Sequence, residues 1–312
     1  MKHQKRLAEI IANKAVSDVS SAPLEINMGN ESVEDLLRVK HYPTLKIGID
    51  KLDKGGVPTG MNLIAGQSGA GKSWFMTYLV YVAWELNGLR SAIFSLEMDY
   101  QGIKKRMLQS YSNMSYEDFL YATDFSLGVS KIKQIQPTII DYTQSDNQIT
   151  TSGFLDKFKE LYDKGIRVFL FDHFHEIPGA SVNDRNQQVS EEWGEVFKFI
   201  RNTYDDVWMF ILVQSNKEGY KKKIIKKEDM AGSVSVVAKC DFFLSINRTE
   251  DPEKEGHIES KEKTVKIWVD KSRRTGMDKY ISLAILTETG MFVDSARKGI
   301  QDYVDPEKQL SL

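Results

Sequence analysis

Beyond Lys46 the chain alternates short unbroken apolar runs with longer stretches whose apolar residues recur at helical spacing. The runs at 61–65, 91–96, 138–140, 166–171 and 207–213 predict strands. Between them, 72–87, 100–112, 115–121, 151–163 and 185–204 predict helices. Alternation of this kind implies an α/β fold, a mostly parallel central sheet with helices on both faces. After a lysine-rich stretch, strands at 242–247, 264–269 and 280–286 complete the pattern, and the polar, proline-containing 249–263 predicts an exposed hairpin loop. Residues 1–40 stand apart, with two short helix candidates at 4–16 and 32–39 around a Ser/Pro/Asn/Gly-rich stretch. Isolated helices of that length are marginal in water, so these need something to dock on. The expected organisation is a helical linker or assembly segment over 1–40, one large domain over 41–300 and a tail over 301–312.

Composition narrows the class. An apolar fraction of 41% and a charged fraction of 28% are ordinary globular values, and 312 residues suffice for a sizeable core. Cys240 is the only cysteine, which rules out an internal disulfide and argues against secretion. No apolar stretch approaches the roughly 20 residues needed to span a bilayer. Residues 1–15 carry both charge signs and lack a signal-peptide apolar centre. The expectation is a cytoplasmic protein with no membrane partner. A net charge of −2 means that a nucleic-acid partner must meet positive charge locally. Such charge exists: KEGYKKKIIKK at 217–227 holds six lysines against one glutamate. A run like this is ordinarily a solvated face.

The chemistry begins at Gly66-Gln67-Ser68-Gly69-Ala70-Gly71-Lys72-Ser73, a complete G-x-x-x-x-G-K-[ST] phosphate loop between a predicted strand and a predicted helix. Its glycines let backbone N–H groups fold around a polyphosphate at a helix N-terminus. Lys72 is expected to reach the β- and γ-phosphates, and the Ser73 hydroxyl to bind Mg²⁺. Parallel sheets bind ligands at the carboxyl ends of their strands, which makes each strand end a candidate. Strand 166–171 runs into Asp172, a second expected Mg²⁺ ligand, acting through water. His173 follows it, so the base must come from elsewhere. Strand 91–96 is followed by Glu97, which is expected to activate the attacking water from a strand beside the phosphate-loop strand. Strand 207–213 ends at Gln214, suited to sensing the γ-phosphate. His173 and His175 form an H-x-H pair, but no other ligand-spaced cluster supports a transition-metal site. The aromatic and methionine residues of helix 72–87 are expected to be packing.

These motifs, in this order, resemble the replicative DNA helicases of the DnaB type. The resemblance runs from about Leu45 to Leu286: IGIDKLDKGGVPTGMNLIAGQSGAGKS, then FSLEM at 94–98 with Arg106-Met107-Leu108, then FDHFHEI at 171–177. VQSN at 213–216, DMAGSVSVVAKCDFFLSINR at 229–248 and WVDKSRRTG at 268–276 complete the set. His173 and His175 stand where the family more usually has Tyr and Gln. The resemblance implies a RecA-like P-loop NTPase that binds ATP, or another NTP, with Mg²⁺. It implies further nucleotide contacts from Arg106 and Arg248, and a Lys271/Arg273 pair that enters the neighbouring subunit's site, with Arg274 a weaker substitute. It also gives the lysine run a place, the family's second central DNA loop. The expected single-stranded DNA contacts are Lys217, Tyr220, Lys221, Lys222, Lys223, Lys226 and Lys227, with Arg185 from a first loop at 179–186. About 40 residues precede the ATPase, so the family's collar domain is not expected, and the short form suggests a phage or plasmid helicase in a bacterial or phage-infected cell.

The reading that follows is an ATP-driven ring, a hexamer by resemblance, moving on single-stranded DNA and unwinding duplex at a replication fork. Primase, polymerase or loader are further expected partners. The competing class is a RecA-type protein that uses ATP to bind or pair strands without unwinding. Within residues 1–40, Leu7, Ile10, Ile11 and Val16 form an apolar stripe at nearly helical spacing, which suits docking on an adjacent subunit.

Overall fold

The structure is a computed structural model that describes residues 43–143, 149–174, 177, 184–216, 219, 222–230, 234–248, 263–273 and 279–295, with 184–188 and 234–235 described in backbone only. The chain opens with a small antiparallel pair, β1 (Thr44–Leu45) and β2 (Val57–Pro58), around a short helix α1 (Asp50–Asp53). The phosphate-loop strand β3 (Gly60–Gly66) leads into α2 (Lys72–Glu85) and then β4 (Arg90–Ser95). Helices α3 (Tyr100–Tyr111), α4 (Tyr116–Tyr121) and α5 (Ser126–Ile135) follow before β5 (Thr138–Asp141). Next come α6 (Thr151–Asp163), β6 (Ile166–Asp172), α7 (Asp184–Thr203) and β7 (Trp208–Gln214). The C-terminal part holds α8 (Val234–Lys239), β8 (Phe242–Arg248), β9 (Lys263–Ser272), β10 (Tyr280–Leu286) and β11 (Phe292–Asp294).

Nine strands form one sheet in the order β11-β10-β9-β8-β3-β7-β6-β4-β5. From β8 to β5 neighbouring strands are parallel, and from β8 to β11 they are antiparallel. The period of two is visible in the packing. Ile64, Leu170, Phe210 and Leu212 bury themselves on the α2 side, while their neighbours Leu63, Phe171, Ile211 and Val213 bury themselves on the other. That second side is closed by Phe154 and Phe158 of α6 and by Trp193 and Phe197 of α7. Both faces are covered, which is why the strands read as continuous apolar runs. Helix α2 is buried along most of its length, and its Trp74, Tyr81 and Trp84 pack against the same core, as the sequence predicts.

Several elements differ from the sequence expectation. The strand carrying Glu97 is not beside the phosphate-loop strand: β7 and β6 lie between β3 and β4. Hydrophobic pattern sets which segments are strands but says nothing of their order in the sheet. Helix α5 goes unpredicted because it is only ten residues long and buries few apolar side chains, Gly128 and Ile135 being its only buried residues. That glycine is needed for helix packing, since a Cβ there would meet the Ser112 Oγ at 2.3 Å and the Leu108 carbonyl at 2.8 Å. The short α8 and β11 also go unpredicted, each being too brief to establish a period. The expected hairpin loop at 249–263 and both terminal segments lie outside the described residues, apart from Lys263, which opens β9.

Candidate nucleotide site

Local sequence explains how the site is held. β3 delivers Gly66 to the carboxyl edge of the sheet, level with Gln214 of β7 and Ile246 of β8. Close packing at Gly66 leaves little room for a side chain, because a Cβ would lie 3.0 Å from the Ile246 carbonyl and 3.1 Å from Lys72 Cγ. Gly71 caps α2 at φ +102°, a left-handed backbone that L side chains rarely adopt. Lys72 then turns back into the loop, where its Nζ donates to the carbonyls of Gly66 and Gln67, both at 2.9 Å. Burial lowers the pKa of this ammonium, and the nearby Glu97 and Asp172 oppose the shift. Ser73, half-buried, is the second residue of α2.

At the same edge β6 ends in Asp172, which pairs in register with Ser95 of β4. Asp172 is buried, and its Oδ2 has no hydrogen-bond partner among the described residues. Burial, reinforced by the charge of Glu97, pushes this carboxyl up to about 7 against the pull of Lys72 and Arg106. A buried carboxylate oxygen left without a donor suits a hard divalent cation, and a hydroxyl such as that of Ser73 completes the same oxygen chemistry. The residues present therefore fit Mg²⁺.

Glu97 reaches this group although its strand is remote from β3. The Asp172 carbonyl accepts from the amides of Leu96 at 2.6 Å and Glu97 at 3.4 Å, so the end of β6 grips the turn after β4. Ser95 Oγ donates to the Met98 carbonyl at 2.5 Å and tightens that turn. The Glu97 Oε2 lies 3.0 Å from Nδ1 of His173. Glu97, Asp172 and His173 each bring one donor atom within 4.8 Å of the others. The H-x-H reading does not describe this group, whose histidine lies with two carboxylates; His175 lies outside the described residues. Arg106 of α3 sets its guanidinium 5.4 Å from the centre of the Trp74 ring. Burial lowers its pKa too, with Asp172 and Glu97 holding it up. Arg248, at the end of β8, donates from Nη2 to the Gly69 carbonyl. Lys72, Asp172, Glu97, Arg106, Gln214 and Arg248 thus share one edge of the sheet.

Lys271 and Arg273 do not. They sit at the opposite end, where β9 runs antiparallel beside the start of β8. Lys271 Nζ donates to the Ala238 carbonyl at 3.1 Å, and Arg273 Nη2 donates to the same oxygen at 3.0 Å, which places both cations at the C-terminal carbonyls of α8. The strands rise about 3.3 Å per residue, so these cations stand on the order of 15 Å from the phosphate loop of their own chain.

The lysine run is tied at its base. Lys222 pairs with Asp229, whose backbone carbonyl accepts from the Asn216 amide at 2.7 Å. Ile225 is buried and donates its amide to Asn247 Oδ1 at 2.8 Å. The Lys227 amide donates to Asp270 Oδ2 at 3.0 Å. The side chains of Lys223, Lys226 and Lys227 are exposed. Gln67 Nε2 donates to the Lys222 carbonyl at 3.4 Å, a direct link from the phosphate loop to this segment. Lys217, Tyr220, Lys221 and Arg274 lie outside the described residues, and Arg185 is described only as part of the α7 backbone. Sequence reasoning gave Asp229, Asn247 and Asp270 no part in the site, although they lie in the segments 229–248 and 268–276, and did not foresee the contact between His173 and Glu97.

The chain matches the family described as the DnaB-like helicase C terminal domain over residues 43–294. No curated protein matches it. Among solved structures it is similar to one described as an ATPase domain, with a TM-score of 0.70 and 18% identity over 85% of this chain and 99% of that one. It is similar to a DnaB-like replicative helicase described with its primase interactions, with a TM-score of 0.69 and 20% identity over 93% of this chain and 76% of that one. A KaiC-like protein from the archaeon Pyrococcus horikoshii OT3 is more distant, with a TM-score of 0.57 and 13% identity over 81% of this chain and 99% of that one. At these identities the likeness is one of fold, the RecA-like ATPase fold.

Proposed function

Since the chain belongs to the DnaB-like helicase C-terminal domain family and is therefore an ATP-dependent replicative DNA helicase, we propose how its own residues perform that work. The observation that carries the reading is the gathering of Lys72, Asp172, Glu97 and Arg106 at one sheet edge beside the phosphate loop. Lys72 exchanges the carbonyls of Gly66 and Gln67 for the β- and γ-phosphates of ATP. Ser73 and Asp172, the latter through water, would hold Mg²⁺, which would supply charge neutralisation at the phosphates. Glu97 takes the proton of the attacking water, and Gln214 registers whether the γ-phosphate is present. Arg248, bonded to the Gly69 carbonyl, and Arg106, over the Trp74 ring, serve as nucleotide contacts.

Lys271 and Arg273 serve a neighbour's site, since their own nucleotide is out of reach from the far end of the sheet. That requirement supports a closed homo-oligomer, a hexameric ring on the family's pattern. The exposed lysines of 222–227, with Lys217, Tyr220, Lys221 and Arg185, line its channel for single-stranded DNA, and residues 1–40 tie adjacent subunits. Primase is a fitting partner, because the related helicase above is described with one. No described helix is long and apolar enough to cross a membrane, which suits a cytoplasmic enzyme. The strand-pairing alternative is not favoured, because the family match is to a helicase.

A forked duplex with ATP and Mg²⁺ tests the activity directly. Wild type should unwind it. Glu97→Gln should bind ATP normally and lose roughly 10²–10⁴-fold in turnover, the usual scale for removing a general base. Turnover near wild type in that variant would take Glu97 out of the mechanism.

A further inference from the structure

We propose that His173 is a positioning residue for the Glu97 carboxylate, its Nδ1–H donating to Oε2 and fixing the direction of the base. The proposal rests on the reading of Glu97 as that base.

The two side chains differ sharply in freedom. His173 is 1% exposed at the end of a central strand, whereas the Glu97 side chain is 46% exposed. Backbone hydrogen bonds from Leu96 and Glu97 to the Asp172 carbonyl fix where the turn begins, but they leave the glutamate's own torsions unrestrained. A glutamate gives up rotamer freedom when it is held in one geometry. Something rigid must hold it if it is to meet a water in line with the phosphate. The imidazole is the buried group at contact distance. At 3.0 Å the two atoms stand at ion-pair distance without the alignment of a formed N–H···O bond; an ionised carboxylate only accepts, so in the bond we propose the nitrogen facing it carries the proton. One carboxylate oxygen is thereby occupied, which leaves the other for water.

The sequence context agrees. His173 directly follows Asp172, so one strand end supplies both an expected metal ligand and the residue that orients the base. A Tyr at this position would carry its donor several bonds further from the backbone, and Glu97 would need a different setting.

The test depends on where the donor sits. An asparagine amide nitrogen stands the same number of bonds from Cβ as Nδ1, and a glutamine amide nitrogen stands where Nε2 would be. ATP turnover on single-stranded DNA is measured for the full chain, with nucleotide affinity read from the same preparations. His173→Asn should keep kcat within about threefold of wild type, while His173→Gln should lose about tenfold or more, both with KM nearly unchanged. Equal rates for the two variants overturn the proposal. So does a KM that rises in step with the fall in kcat, or loss of nucleotide binding in either variant, which would assign His173 to packing. Glu97→Gln separates the two readings. If it turns over like wild type, the base assignment fails and this proposal with it. If it is inactive while His173→Asn and His173→Gln match, only the proposal for His173 fails.

Discussion

At the scale of single residues the site depends on backbone that few side chains tolerate. Gly71 is held at φ +102°, with Leu286 Cδ2 3.0 Å from where a Cβ would stand. Gly71→Ala should cost about 1–2 kcal/mol, the steric penalty for a left-handed L-residue. Denaturant unfolding would register that loss, and nucleotide affinity should fall in parallel, because the strained position caps the helix that carries Lys72 and Ser73. An unchanged midpoint and affinity would mean that the loop relaxes without strain. The placement of Lys72, Asp172 and Glu97 at strand ends was legible from sequence because each sits where an apolar run stops or a known spacing falls. His173 was not legible as a partner of Glu97, since the two are 76 residues apart and meet only when β6 and β4 lie side by side.

At the scale of elements, the lysine segment is anchored by carboxylates whose anchoring part the sequence motifs do not reveal. Asp270 on β9 is buried, which alone would raise its carboxyl, yet the Lys227 amide and the Lys279 ammonium at 2.9 Å hold it below the usual carboxylate range. Asp270→Asn should therefore destabilise by about 1–3 kcal/mol, the scale of a buried hydrogen bond to a charged group. The sign follows from the lowered pKa. The contribution is full above the ordinary carboxylate value of about 4 and is lost as pH falls through the lower folded value. Wild type and variant should accordingly differ in urea midpoint at neutral pH and converge in acid. A constant gap across that range would exclude the ionised carboxylate as the source. The strands and long helices between 60 and 214 were readable because each face of the sheet is buried, so apolar runs mark them without ambiguity. Helix α5 was hidden because it is short and buries few apolar side chains, and sheet order was hidden because it is a property of crossovers rather than of any segment.

At the scale of the whole molecule, the two halves of the proposed machinery occupy opposite ends of the sheet. An arginine that completes a neighbour's site is expected to contribute about 10³-fold or more in rate. Arg273→Ala should bind nucleotide and barely hydrolyse it, and Lys72→Ala should fail to hydrolyse for want of loop chemistry. Mixed in equal amounts, the two should recover activity, since roughly a quarter of randomly formed interfaces would join an intact loop to an intact arginine. Subunits shown to co-assemble that never regain hydrolysis would remove the in-trans assignment.

The separation of Lys271 and Arg273 from their own phosphate loop also makes each subunit polar, with a giving end and a receiving end. Contacts between unlike surfaces are heterologous, and such chains close only when the rotation between neighbours allows it. On the in-trans reading, an open row always has one terminal pocket with no neighbour to complete it. A dimer would then run one pocket of its two, and only a closed circle would use them all. Specific activity per subunit should thus climb with concentration in steps set by assembly size and level off once closure is reached, so that dilution itself acts as an off-switch.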